Sequence, residues 1–218
     1  PSITSNLVSL TVNTLPLITI QPVSKTTCEG TSVSFSVSAS GTGLSYQWRK
    51  GGTNIVGATL STYTIKSPLV SDAGNYDVEV SGTCTPPVTS NLVTLTVNTL
   101  PAITVQPTNQ TTCVGNSISF DVTATGTGLT YQWRKGGVNI PGANASTYTI
   151  VSPILTDAGN YNVVVGGTCG SPVISNTVAL SINSLPSITA QPVNQVTCAG
   201  TSVSFSVAAN GTGLSYQW

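Results

Sequence analysis

The residues of this chain that could do chemistry are few, and their spacing points to their purpose. Five cysteines occupy only two positions of a fixed period: Cys28, Cys113 and Cys198 stand 85 residues apart (113 − 28 = 198 − 113 = 85), and Cys84 and Cys169 keep the same step. The carboxylates Glu29, Asp72, Asp77, Glu79, Asp121 and Asp157 are scattered, and the chain has no histidine. A nucleophile has no imidazole beside it to act as base, and the cysteines recur as structural elements, so no catalytic and no cofactor-binding residue is expected. A metal site is not expected either. Asp77 and Glu79 alternate on one strand face, but the next copy has Asn162 and Val164 there, and calcium needs several oxygen ligands, usually from clustered carboxylates. Arg49-Lys50 and Arg134-Lys135 form a repeated basic pair that reads as a solvated turn. Asn109, Asn144 and Asn210 each open an Asn-X-Ser/Thr string, a short pattern that arises often by chance.

The period runs through the whole chain. Trp48, Trp133 and Trp218 each end the string Tyr-Gln-Trp, Gln21, Gln106 and Gln191 each precede a proline, and Asp72-Ala73-Gly74-Asn75-Tyr76 returns as Asp157-Ala158-Gly159-Asn160-Tyr161. Such a fixed period means a tandem array of one small domain. The 218 residues hold about two and a half copies, each of a size usual for a single-core domain. The expected division is the closing strand of a preceding repeat over 1–14, complete repeats over 15–99 and 100–184, and the opening part of a third over 185–218. The chain is thus expected to be a segment of a longer protein. Charged residues make up 6% against about 25% in an ordinary domain. Six cations are too few to neutralise a row of phosphates, which argues against nucleic acid as a partner. No apolar run approaches the ~18 residues of a membrane-spanning helix. An array of near-identical units suits length, stiffness or many copies of one surface better than it suits a single chemistry.

The elements read as strands. Val33, Phe35, Val37 and Ala39 alternate with Ser34, Ser36 and Ser38, the period of a half-buried strand. Leu44, Tyr46 and Trp48 alternate after the Gly41-Thr42-Gly43 turn, and Arg49-Lys50-Gly51-Gly52 is expected to end that strand. Tyr63 and Ile65 mark a third strand, Tyr76, Val78 and Val80 a fourth, and Leu92 to Val97 a closing one. One helical turn is expected near residues 68–72. Many short strands between regular turn signals make an all-β sandwich or barrel. Most aromatics fall on inward positions, leaving few for an exposed sugar-stacking platform.

The Asp-Ala-Gly-Asn-Tyr string before a strand, with a Trp upstream, resembles the immunoglobulin superfamily, whose hallmarks are a tyrosine corner and a core Trp. Tyr76 and Tyr161 take the first role, Trp48 and Trp133 the second. The resemblance implies tandem immunoglobulin-like β-sandwiches joined by short linkers. Valines stand where the family's inter-sheet cysteines would fall: Val37 and Val78, then Val122 and Val163. In this respect, and in Ser/Thr richness, the chain is similar to bacterial immunoglobulin-like repeats of large secreted or cell-surface adhesins and filament proteins of the Bacteroidota type. In that fold Cys28 would lie in the turn before strand B and Cys84 after strand F, at opposite ends of the sandwich, too far apart for a disulfide. The short Asn98-Thr99-Leu100-Pro101 linker would instead bring Cys28 near Cys169 of the next repeat. The resemblance therefore implies an interdomain Cys28–Cys169 bond, with Cys84, Cys113 and Cys198 pairing outside these residues. Free buried thiols and an intradomain Cys28–Cys84 bond remain open. The implied function is a stalk or filament segment of an extracellular, cell-surface protein, since disulfides persist outside the cytosol. Its partners would be neighbouring repeats and other copies in a filament. Two other readings stand beside it: multivalent recognition of a glycan or protein, and the spacer of a secreted enzyme.

Overall fold

Short β-branched runs separated by glycine and proline form nearly every element of the chain. The computed structural model describes residues 1–218, which divide into two units, Pro1–Leu100 and Pro101–Trp218. The first unit contains β1 (Leu17–Ile20), β2 (Lys25–Cys28), β3 (Val33–Ser36), β4 (Ser38–Ser40), β5 (Ser45–Lys50), β6 (Thr53–Asn54), β7 (Thr62–Ile65), β8 (Gly74–Ser81), β9 (Val88–Thr89) and β10 (Val93–Asn98). A 3-10 turn over Val70–Asp72 precedes β8. The larger sheet has the order β2-β10-β8-β5-β6, with β9 also on β8. Its β2 and β10 run parallel, from Lys25 opposite Leu95 to Cys28 opposite Asn98. The antiparallel pairs β3–β7 and β1–β4 form the second layer. Between the layers lies a core of Phe35, Trp48, Tyr76, Val78, Val80 and Leu95 with their neighbours. Alternation places them there: in β8, Tyr76, Val78 and Val80 are buried while the residues between them are not, as in a sheet with one face covered.

The second unit repeats this plan: β11 (Ala102–Val105), β12 (Gln110–Cys113), β13 (Ile118–Asp121), β14 (Thr123–Thr125), β15 (Thr130–Lys135), β16 (Val138–Asn139), β17 (Thr147–Ile150), β18 (Gly159–Gly166), β19 (Val173–Ile174) and β20 (Val178–Asn183). Its larger sheet has the order β12-β20-β18-β15-β16. Its core gathers Phe120, Val122, Trp133, Tyr161, Val163, Val165 and Leu180. After it, β21 (Ser187–Ala190) and β22 (Ala208–Asn210) pair only with each other.

Four expectations change. The strand read through Val33 to Ala39 breaks at Val37, whose N–H donates to Ser61 O at 3.0 Å. β3 pairs with β7 while β4 pairs with β1, a change of partner that side-chain alternation does not register. The basic pair Arg49-Lys50 is no turn. β5 runs through Lys50 because β8 continues beside it to Tyr76, and the same holds for Arg134-Lys135 in β15. The turn falls on Gly51 and Gly52, both at positive φ. Cys28 is the last residue of β2, and Cys113 of β12, because the β-branched threonines before them favour a strand. Residues 1–16 form no strand, and Leu7, Val8, Leu10 and Val12 are exposed. The corresponding β10 is held between β8 and β2, and no such neighbours flank residues 1–14.

Candidate functional site

The motif Asp72-Ala73-Gly74-Asn75-Tyr76 closes a turn onto β8. The carboxylate of Asp72 accepts from Leu69 N–H at 2.8 Å, and Tyr76 Oη–H donates to Asp72 O at 2.6 Å. Lys50 donates from Nζ to Ser71 O at 2.5 Å and lies 5.8 Å from the Tyr76 ring centre. The glycine is required: Gly74 has φ +141, and a Cβ there would meet the Lys50 side chain at 3.4 Å. Asp157, Tyr161 and Lys135 repeat the arrangement, with Tyr161 Oη–H donating to Asp157 O at 2.7 Å. Burial, aided by the charge on Tyr63 and Asp72, pushes the Tyr76 phenol up to about 12; burial, Tyr148 and Asp157 do the same for Tyr161. Asp72 and Asp157 therefore cap a turn.

The core positions named from sequence lie together. Trp48 is fully buried, donates from Nε1 to Leu60 O at 2.9 Å and packs against Phe35, which stacks on Tyr76 with ring centres 5.1 Å apart. Val37 and Val78 are buried in that cluster, and Val122 and Val163 in the cluster of Trp133 and Tyr161. Apolar packing thus fills the places at which the resemblance would put cysteines. Tyr46 and Tyr63 are only half-buried at its margin.

Three polar residues with structural work have no obvious sequence signature beyond their period. Gln47 donates from Nε2 to Trp48 O and Ile55 O, holding the β5–β6 connection. The buried Ser90 hydroxyl accepts from Val78 N–H at 3.0 Å and donates to Asn91 O. Gln21 Oε1 accepts from Asn91 N–H at 2.9 Å. Gln132, Ser175 and Gln106 repeat these bonds. Their side chains satisfy backbone groups that would otherwise be orphaned in or near the core.

On the outward face of β5 and β8, Arg49 donates from Nε to Asp77 at 2.8 Å and from Nη1 to Glu79 at 3.2 Å. Hydrogen bonding to Asp77, which outweighs partial burial, raises the guanidinium pKa further, with the charges of Asp77 and Glu79 adding to it. These carboxylates are committed to an arginine. Among the cysteines, Cys28 and Cys169 are disulfide-bonded, while Cys84, Cys113 and Cys198 are free. An intradomain Cys28–Cys84 bond is thereby excluded.

Two sandwiches of this topology, each with a buried Trp on the strand beside β8 or β18 and a tyrosine hydroxyl tied back to the preceding turn, make the chain an array of immunoglobulin-like domains. Comparison with known proteins agrees at the level of fold. An I-band fragment of titin superimposes with a TM-score of 0.72 at 19% identity, covering 91% of this chain and 76% of that one. The two-domain fragment DIP-gamma Ig1+Ig2 gives 0.58 at 16% identity over 77% of this chain and 97% of that one. Endoglucanase C of Cellulomonas fimi is 28% identical over 172 residues, 73% of this chain, and the chain spans 16% of that enzyme's length. No family model matches. No helix is long and apolar enough to cross a membrane.

Proposed function

We propose that these residues are a stalk: a run of immunoglobulin-like spacer repeats in a long extracellular, cell-surface protein of the adhesin or fibre kind. The repeats span 15–99 and 100–184, with 1–14 closing one neighbour and 185–218 opening another. A Cys28–Cys169 bond staples one repeat to the next, and Cys84, Cys113 and Cys198 serve the same purpose toward further repeats. The repeats themselves carry no catalytic role. The observation that carries this reading is that the chain's two half-cystines occupy the two cysteine positions of the period in successive repeats. A bond there closes a loop of 141 residues (169 − 28), and disulfides persist in oxidising compartments outside the cytosol. Tight linkers and covalent staples supply the rigidity that a chain with 6% charged residues cannot gain from self-repulsion.

A second reading draws on one observation, the similarity to Endoglucanase C. In it the same repeats are a spacer beside the catalytic domain of a secreted enzyme. Both readings give the repeats the same physical task and differ in what they hold at a distance. Non-reducing peptide mass mapping of the chain tests the staple. A crosslinked peptide containing both Cys28 and Cys169 supports it; alkylation of either thiol without reduction overturns it.

A further inference from the structure

Repeats this alike make their differences informative, and four of them change the character of the larger sheet's outer face. Where the first repeat carries Asp77, Glu79, Thr89 and Thr94 on its larger sheet, the second carries Asn162, Val164, Ile174 and Ala179. In the first repeat Arg49 is enclosed by Asp77, Glu79 and Thr89. In the second, Arg134 stands opposite Asn162 in the ladder and donates from Nε to Asn139 Oδ1 at 2.8 Å. It has no carboxylate, since both ion pairs of the chain belong to Arg49. Asn162 Oδ1 is buried and accepts no hydrogen bond. Val164 and Ile174 face each other across β18 and β19, and Ile174 is 58% exposed. An uncompensated guanidinium beside branched apolar side chains is the composition of a protein interface more than of a solvated sheet.

The complementary charge lies on the same face of the first repeat. Two carboxylates there share one guanidinium, an excess of one negative charge, and the Glu79 side chain is 39% exposed with its Arg49 contact at a long 3.2 Å. We propose that the outward face of the second repeat, carried by Arg134, Val164 and Ile174, docks on the Asp77–Glu79 face of the first repeat of a second copy of this chain, Arg134 pairing with Glu79. The contact joins two different surfaces, the second repeat of one copy and the first repeat of another. The proposal deepens the stalk reading by naming a lateral partner. Its test reads association alone, and the stalk reading survives either result.

The test is sedimentation velocity of the oxidised full chain, its free thiols alkylated, over a range of concentration and salt. The wild type should self-associate, less so as salt rises. Arg134→Glu and Glu79→Lys should each weaken association at least ~10-fold by setting like charges together, with melting lowered only slightly because both side chains lie on the outer face of the sheet and Arg49 keeps Asp77. An equimolar mixture of the two variants should recover association, since each supplies the charge the other lacks. Ile174→Thr, which copies the first repeat, should weaken it severalfold without altering the salt dependence. A wild type monomeric at every concentration overturns the proposal and leaves the face to an acidic partner of another kind. Single variants that associate like the wild type, or a mixture that fails to recover, also overturn it.

Discussion

Trp48 and Trp133 are fully buried, whereas Trp218, which ends the same Tyr-Gln-Trp string, is 70% exposed; Phe35 and Phe120 are buried, and Phe205 is 54% exposed. The residues around each are nearly the same. What differs is the strands that follow. β7 and β8 come after Trp48 and close over it, β17 and β18 do so for Trp133, and residues 185–218 hold only β21 and β22. The core of an immunoglobulin-like repeat is therefore not a property of its apolar residues. It exists only once strands distant in sequence have paired, which also makes this a fold dominated by non-local contacts.

The comparison can be broken most directly at the tryptophans. Trp133→Ala should cost the second repeat about 3–5 kcal/mol, the range for emptying a large buried site. Trp218→Ala should leave denaturant unfolding unchanged; an equal loss at both positions would mean residues 185–218 already hold a core. Ser90→Ala and Ser175→Ala come next, at about 1–3 kcal/mol each, because they strand the buried N–H of Val78 or Val163. Equal losses would show that the two complete repeats satisfy their backbone identically. Tyr76→Phe and Tyr161→Phe should cost about 1 kcal/mol for the lost bond to the turn.

The same tyrosines set an alkaline limit. Folded, Tyr76 and Tyr161 keep their protons up to about 12, against 10 for an ordinary phenol. Between those values the unfolded chain gives up a proton that the folded chain retains. The unfolded state then binds fewer protons, and stability falls as pH rises. Below pH 10 that contribution is fully present. Unfolding free energies followed from pH 9 to 12 should show the decline, and the double Phe variant should flatten it. The smallest effect lies at the arginines. Arg49→Ala should cost about 1 kcal/mol for the lost bonds to the half-buried Asp77, and less in high salt, whereas Arg134→Ala should be nearly neutral in dilute solution. An equal loss at both would mean the carboxylates contribute nothing.

Much of this fold is legible in the sequence because a strand with one buried face must alternate, and Val33 to Val37 and Tyr76 to Val80 do. The turn role of Asp72 is legible too, since a carboxylate just before a buried Tyr has backbone donors at hand. Register is what sequence hides. Nothing in Arg49-Lys50-Gly51-Gly52 says that Asp77 lies opposite Arg49, so a strand end reads as a turn. β2 escapes notice because its threonines edge the sheet with no apolar alternation. Gln21, Gln47 and Ser90 act on backbone atoms far along the chain or across a turn, and composition carries no sign of such pairings beyond their return every 85 residues.

The parallel ladder of β2 and β10 has a mechanical consequence. The chain enters a repeat ahead of β2 and leaves it from the end of β10, where Asn98 passes into the linker. Because the two strands point the same way, tension on the ends of a repeat slides one along the other. The hydrogen bonds between Lys25–Cys28 and Leu95–Asn98 are then loaded together in shear, whereas an antiparallel pair joined at a turn would unzip one bond at a time. Stretching single molecules of the reduced chain should accordingly show each complete repeat giving way in one abrupt step, whereas in the oxidised chain the Cys28–Cys169 bond carries the load past β10 and the linker.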